Sequence, residues 1–346
     1  MGKILVLGAF GYSNNQLDGQ TIKTRNVYNL LMERYDSKVE KADTQDIKTK
    51  PWLLFSLLYQ LMTCKTLILL PCLNNLSYIF PVVYILSKVF RYEIISICIG
   101  GWQVEYFQGN ERFKAHPRQL KFSKKIKAFL PEMAKVDKDL KALFDFKNTE
   151  VFPNFRRFTI NEIREEPHDE LRLVFMARIN KTKGYRTIFQ VVDRLQASSS
   201  KVSMAFYGQV AEEDRTDFEE LIEKYSGNVS YKGALKPEDI QQTLSQYDVM
   251  LLLTQYYTEG FPGSILDAYI AGLPVIVTEW KHSREFVDDG NTGFIVPFGE
   301  CVDDVVERIN RLVLDRDLLL QMKKNAQKES VKYSEGKAWD VLKKYL

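Results

Sequence analysis

The feature that most constrains this chain is a regular alternation of short apolar runs with longer amphipathic stretches. In the first half, Lys3–Leu7, Lys38–Lys41, Thr66–Leu70, Glu93–Ile99, Ile126–Leu130 and Glu150–Phe152 read as strands. Between them, residues 20–34, 51–63, 77–91, 113–124 and 134–144 read as helices. Strands spaced by helices in this way pair in parallel through right-handed crossovers, so the expected class is doubly wound α/β. Pro153-Asn154-Phe155 and the polar segment Arg156–Glu170 interrupt the pattern, and residues 154–170 are expected to link two domains. The alternation restarts at Leu171–Phe175, with a helix near 184–197. Further strands follow at Val202–Tyr207, Val229–Tyr231, Val249–Leu253, Pro274–Val277 and Gly293–Val296. Domains over 1–153 and 171–332 are thus predicted, consistent with 346 residues, and their sheets' carboxyl ends would meet at a cleft. A last amphipathic helix is read at Lys337–Leu346, within residues 333–346.

Composition removes the main competitors. Hydrophobic residues at 45% and charged residues at 27% are ordinary globular usage, and 18 Gly, 11 Pro and 4 Cys exclude collagen-like and disulfide-framework chains. Cys64, Cys72, Cys98 and Cys301 show no CxxC spacing and read as reduced core thiols. With only His116, His168 and His282, far apart, no His-based metal site is expected. Met1-Gly2-Lys3 leads directly into a strand-like run rather than a secretory core. The most apolar stretch, Leu67 to Phe90, is interrupted by Pro71, Asn74, Asn75 and Pro81, short of the roughly 20 residues a spanning helix needs. The expected location is the cytoplasm or the inner membrane face. Residues 1–150 carry 22 Lys/Arg against 14 Asp/Glu, a net +8, whereas the remainder is −5, so the two halves are expected to meet different partners.

Chemistry concentrates in two segments. Tyr257-Thr258-Glu259-Gly260-Phe261-Pro262-Gly263-Ser264-Ile265-Leu266-Asp267 follows the strand Val249–Leu253. Gly260, Pro262 and Gly263 force a turn, and a helix starting near Gly263 or Ser264 offers unpaired amides and the positive end of its dipole to a phosphate. Glu259 and Asp267 flank that turn, placed to accept hydrogen bonds from a polyol, or equally to complement the dipole and lie on a solvated face. Arg178-Ile179-Asn180-Lys181-Thr182-Lys183-Gly184 follows the strand Leu171–Met176, and Arg178 and Lys183 can reach one diphosphate; a solvated basic loop is the plain alternative. Neither a Walker motif nor a GxGxxG fingerprint is present. Asp137-Lys138-Asp139 and Asp315-Arg316-Asp317 match a metal-binding Asp-x-Asp by letter only, since both lie at predicted helix starts. No metal is expected. Between residues 112 and 127, Arg112, Lys114, Arg118, Lys121, Lys124, Lys125 and Lys127 occur without an acid. Such a basic helix suits an anionic membrane surface or a pyrophosphate-linked acceptor, or is a solvated face. Nucleic acid is not expected, because no reading module accompanies the patch.

Together these segments resemble the retaining nucleotide-sugar glycosyltransferases of family 4, the glycosyltransferase group 1 domain on a GT-B fold. The resemblance is strongest over about 170–330: Arg178, Lys183-Gly184, Gly208, Gly233, Asp248, the Glu259-x7-Asp267 block, Ala271-Gly272-Leu273-Pro274 and Glu285–Gly293. Phe152-Pro153-Asn154 is similar to the family's hinge, and Asp18-Gly19-Gln20-Thr21 to its first glycine loop, and the resemblance implies that the helix within residues 333–346 crosses back to the first domain. The resemblance implies that Arg178 and Lys183 grip a donor diphosphate in place of a metal ion and that Glu259 holds sugar hydroxyls. It further implies that the turn Phe261, Pro262, Gly263 and Ser264 meets the diphosphate or sugar through its backbone amides. Asp267, where the family usually has Glu, would bind ribose, and Gly233 the base. Gly100-Gly101-Trp102 marks the acceptor side, without the histidine the family often has there. The implied activity is metal-free transfer of a hexose, from a UDP-sugar by preference, to a glycan or lipid-linked saccharide in bacterial surface polysaccharide synthesis. The nucleoside diphosphate sugar is a substrate and no separate cofactor is implied. A nucleotide-sugar epimerase of the same fold and a non-catalytic nucleotide-sugar-binding subunit are the alternatives.

Overall fold

The structure, a computed structural model, describes residues 2–13, 18–71, 73–110, 118–163, 165, 170–198 and 200–346, without the side chains of 73–75. The chain forms two compact units, Met1–Arg156 with Ser334–Leu346, and Arg157–Tyr333.

The first unit is a five-stranded parallel sheet, β1 (Lys3–Gly8), β2 (Val39–Asp43), β3 (Cys64–Leu70), β4 (Glu93–Ile97) and β5 (Ala128–Leu130), in the order β2-β1-β3-β4-β5. Its helices are α1 (Gly19–Tyr35), α2 (Thr44–Thr49), α3 (Leu53–Thr63), α4 (Leu73–Phe90), α5 (Gln103–Phe107), α6 (Gln119–Ser123) and α7 (Ala134–Phe144). The central strands read as apolar runs because both faces are covered, and Ile4–Leu7 and Leu67–Leu70 are almost fully buried. α1 starts where Asp18 accepts a hydrogen bond from the Thr21 amide at 2.8 Å.

Several expectations need correction here. Glu150–Phe152 adds no sixth strand: Thr149 makes a single bridge to Phe129, the Phe152 amide donates to Pro131, and Pro153 then offers no N–H to continue a ladder. β4 stops at Ile97, ahead of Gly100, where a φ of 82° turns the chain. α4 runs through Pro81, giving up one i to i−4 bond, and the helix read at 77–91 already begins at Leu73. The helix expected over 113–124 is described only as the short α6, and residues 111–117, with Arg112, Lys114 and His116, lie outside the described residues, as do Cys72 and His168. Among the described residues no helix is long and apolar enough to cross a membrane.

The second unit is a six-stranded parallel sheet, β6 (Leu171–Met176), β7 (Val202–Tyr207), β8 (Val229–Tyr231), β9 (Val249–Leu252), β10 (Val275–Thr278) and β11 (Gly293–Val296), in the order β11-β10-β9-β6-β7-β8. It carries α8 (Tyr185–Ala197), α9 (Arg215–Lys224), α10 (Ile240–Leu244), α11 (Gly263–Ile270), α12 (Val302–Leu314) and α13 (Arg316–Ser330). Described parts of the polar segment read as a linker lie along this unit. The carbonyls of Thr159 and Asn161 accept from Gln241 and Gln327, both at 2.8 Å, and Glu165 pairs with Lys324 at 2.7 Å.

The chain then returns to the first unit as α14 (Glu335–Leu342), ending in a 3-10 turn at Lys343–Tyr345 rather than as one helix to Leu346. Ser334 bridges Arg156 in parallel, and Ala338 and Leu342 are buried in one cluster with Ile4, Val6, Leu30 and Leu31. Arg34 stacks on the Trp339 ring at 4.5 Å and pairs with Glu335 at 3.1 Å.

Candidate functional site

In the second unit the strand order reverses between β6 and β9, the switch point at which open α/β sheets bind ligands beyond the strands' carboxyl ends. The loops after these two strands are the two segments singled out in the sequence, and hydrogen bonds to the Thr182 carbonyl join them. After β6, the Ile179 amide donates to Gln209 and its carbonyl accepts from Ala211, both at 2.9 Å, which fixes the backbone on one side of the exposed Arg178. A 3-10 turn at Lys181–Lys183 follows, capped by Asn180, whose Oδ1 accepts from the Lys183 amide at 3.0 Å and the Thr182 hydroxyl at 2.9 Å. The buried Asp214 carboxylate accepts from the Lys181 amide at 3.1 Å. Gly184 starts α8 with φ 81°, and a Cβ there would lie 1.9 Å from the Leu253 carbonyl oxygen. Only glycine lets the two loops come this close. The Gln255 amide then donates to Thr182 at 2.7 Å, and Thr254 Oγ1 to the same carbonyl at 3.1 Å.

This contact brings Lys183 to Glu259. The Lys183 Nζ donates to Glu259 Oε2, with the two side chains only 23% and 14% exposed, and Thr254 Oγ1 lies 3.4 Å from the same oxygen. Phe261 is buried with its ring stacked on Phe286 at 4.1 Å and tilted against Tyr333 at 4.7 Å, so its side chain anchors the turn and leaves only its backbone for a ligand. Pro262, also buried, precedes α11, and Gly263 and Ser264, half-buried, supply the first-turn amides that have no intrahelical acceptor. Asp267 is 8% exposed on α11, which removes the solvated-face alternative. Gly233 lies past β8 with φ 76°, and its carbonyl accepts from the Gly208 amide at 2.9 Å. Arg178, Lys183, Gly233, Glu259 and the start of α11 therefore all belong to the carboxyl-end rim of this one sheet.

Gly19 belongs to the other unit, at the start of α1. That unit has a buried ion pair at its own carboxyl-end rim: Lys23 Nζ to Glu132 at 2.7 Å, the side chains 1% and 2% exposed. Lys23 also donates to the carbonyls of Cys98 and Phe152 at 3.1 and 3.2 Å, and Glu132 accepts from the Gly100 amide at 2.9 Å. Burial pulls the Lys23 pKa down, against the raising effect of the Glu132 charge. The pair holds the Gly100-Gly101 turn, and no sequence motif announces it.

Other acids do structural duty. Asp248 is buried against Lys323 at 2.9 Å and accepts from the Arg172 amide. Asp137 pairs with Lys141 at 2.6 Å and accepts from Thr149, and Asp315 caps α13 through the Leu318 amide at 2.9 Å. Cys64, Cys98 and Cys301 are free and buried, and burial lifts the thiols of Cys64 and Cys301 to about 12 and about 11. Sequence reading passed over Thr254 and Asp214 and gave Asn180 no role, although these residues set the two loops; Thr254 had a signal, a hydroxyl closing an apolar strand.

Residues 156–329 match the family model described as glycosyl transferases group 1. Over 195 residues the chain is 25% identical to the putative glycosyltransferase EpsD of Bacillus subtilis, covering 55% of this chain and 49% of that protein. It is 32% identical over 111 residues to the N,N'-diacetylbacillosaminyl-diphospho-undecaprenol alpha-1,3-N-acetylgalactosaminyltransferase of Campylobacter jejuni, 32% of this chain and 28% of that enzyme. The chain thus spans about half the length, or less, of these curated relatives. In fold it is similar to Anabaena HepE, solved with UDP-glucose, with a TM-score of 0.74 and 16% identity over 99% of both chains. Sucrose-phosphate synthase from Thermosynechococcus elongatus gives a TM-score of 0.75 at 15% identity, over 100% of this chain and 98% of that one. These likenesses establish the GT-B class of fold expected from the two parallel sheets. With the family model covering the whole of the second unit's sheet and both loops of its switch point, the chain belongs to the group 1 glycosyltransferases.

Proposed function

We propose that the protein is a retaining glycosyltransferase that moves a hexose from a UDP-sugar to a glycan or lipid-linked saccharide in bacterial surface polysaccharide assembly. The observation that carries this reading is the Lys183–Glu259 pair beside the open start of α11. An ammonium has three donors, so after bonding to Glu259 Oε2 it keeps two for diphosphate oxygens. Glu259 in turn keeps Oε1 to accept a sugar hydroxyl. Breaking the bond between sugar and diphosphate builds negative charge on the leaving group, and Arg178, Lys183 and the amides of Gly263 and Ser264 would stabilise it where it grows. The sugar passes through an oxocarbenium-like state that needs its hydroxyls held in place. In this reading the leaving phosphate takes the acceptor's proton on the same sugar face, and no covalent nucleophile is required. Asp267 would hold the ribose and Gly233 the base. Gly19 and the Gly100-Gly101 turn would belong to the acceptor side. The UDP preference draws on HepE's bound UDP-glucose, and the polysaccharide role on relatives such as the capsular polysaccharide biosynthesis glycosyltransferase CapM of Staphylococcus aureus.

The test is incubation with a panel of UDP-, GDP- and ADP-sugars, with and without a polyprenyl-diphosphate saccharide, reading thermal shift, nucleotide release and product anomer. A melting shift with one nucleotide, acceptor-dependent release and a retained anomer in the presence of EDTA are expected. Arg178→Ala should lower kcat/KM by about 2–4 kcal/mol of transition-state stabilisation. Free isomerised sugar without acceptor would reveal an epimerase, and a thermal shift without turnover a binding subunit.

A further inference from the structure

From Ile47 to Tyr92 the chain contains no Asp or Glu, yet it carries Lys48, Lys50, Lys65, Lys88 and Arg91. This stretch contains α3, β3 and α4, and both helices present apolar side chains to water. At α3, Trp52, Leu54, Phe55, Leu58, Tyr59 and Met62 are all exposed, Phe55 at 80%. At 100° per residue they occupy about half of the helix circumference, while the row Leu53, Leu57, Leu61 is half-buried to buried. On α4, Tyr78, Val82, Ile85 and Val89 recur at i, i+4, i+7 and i+11, one narrow stripe in which every side chain is more than half exposed. The two helices pack on each other, and α6 packs on α4, with the Phe122 ring stacked on Tyr84 at 4.2 Å. That contact holds α6 on α4, and Lys121 on α6 and Lys124 and Lys125 just after it are exposed.

We propose that α3 and α4 dock into the headgroup layer of an anionic bilayer. The charge pattern selects this occupant. Cations stand at both ends of α3, at the carboxyl end of α4 and on or just after α6, and no carboxylate interrupts the stretch from Ile47 to Tyr92, which complements an extended negative surface. Lysine and arginine stems can lie along apolar surface with their charges at the phosphates. Trp52, Tyr59 and Tyr78 are amphipathic rings of the kind that settle at the headgroup level. A second copy on the same face would set one cationic rim against an identical one. The faces would lie on the membrane rather than span it.

Vesicle binding tests this without reading any turnover, so it stands or falls apart from the donor assignment. The protein is co-sedimented with phosphatidylcholine vesicles, with or without about one-third phosphatidylglycerol, at low and high salt. Binding to the anionic vesicles is expected, about tenfold weaker on phosphatidylcholine alone and weakened by salt. The variant F55S/Y59S/V82S/V89S should lose about tenfold or more of that binding with an unchanged melting temperature, since it alters only exposed positions. A blue shift of tryptophan emission on binding should vanish in Trp52→Phe. The proposal is overturned by absence of binding to either vesicle, or by full binding of the four-serine variant alongside loss in K121E/K124E/K125E, which would make the contact purely electrostatic. It is equally overturned by a dimer in solution that the serine variant dissolves, which would assign the faces to a second copy.

Discussion

Lys183 and Glu259 lie 76 positions apart in sequence, yet they form the central contact of the candidate site. Sequence reading picked both residues but assigned them to separate parts of a ligand, because spacing along the chain carries no information about a contact made by two loops. What permits the contact is Gly184, and its substitution is the sharpest test at this scale. In Gly184→Ala the added methyl would meet the Leu253 carbonyl at a backbone angle that an L-residue disfavours. We expect a loss of more than about 2 kcal/mol in urea unfolding. We also expect nucleotide affinity to fall more than in Gly233→Ala, where the space beyond the Cβ is open. Asp267 shows the other limit of sequence reading: its burial, which excludes a wet helix face, is set by neighbours that no local pattern names.

Among the elements, strands were the legible part. Runs rich in Val, Ile and Leu identify strands buried on both faces, and ten of the eleven strands among the described residues overlap a predicted run closely, β2 being shifted toward Asp43. The errors have local causes. Pro153 ended the ladder that Glu150–Phe152 suggested, and α4 absorbed a proline that looked like a break. The outward faces of α3 and α4 stayed hidden because an apolar helix is expected to be covered on all sides, and only the packed fold shows which side is not. The Lys23–Glu132 pair, equally unannounced, makes its own prediction. Lys23→Met strands a buried carboxylate and should cost about 3–5 kcal/mol at neutral pH, and K23M/E132Q should recover much of it, both read by urea unfolding.

For the whole molecule, two doubly wound units were legible from the repeated alternation and its interruption. The return of the last helix to the first unit was expected from the family resemblance, but the bridge between Arg156 and Ser334 was not, because its register depends on where the returning chain arrives. Deleting Ser334–Leu346 strips α14 from the cluster around Ile4 and Leu31, and each fully buried apolar side chain involved is worth roughly 1.5–3 kcal/mol. Limited proteolysis of that truncation should cut within Met1–Arg156 while Arg157–Tyr333 resists. The same return orders events during synthesis. On a ribosome, the second unit has all of its residues before the first does, although it is made later. A nascent chain therefore carries an unfinished amino-terminal half through most of its production, and that half closes only when the final helix emerges.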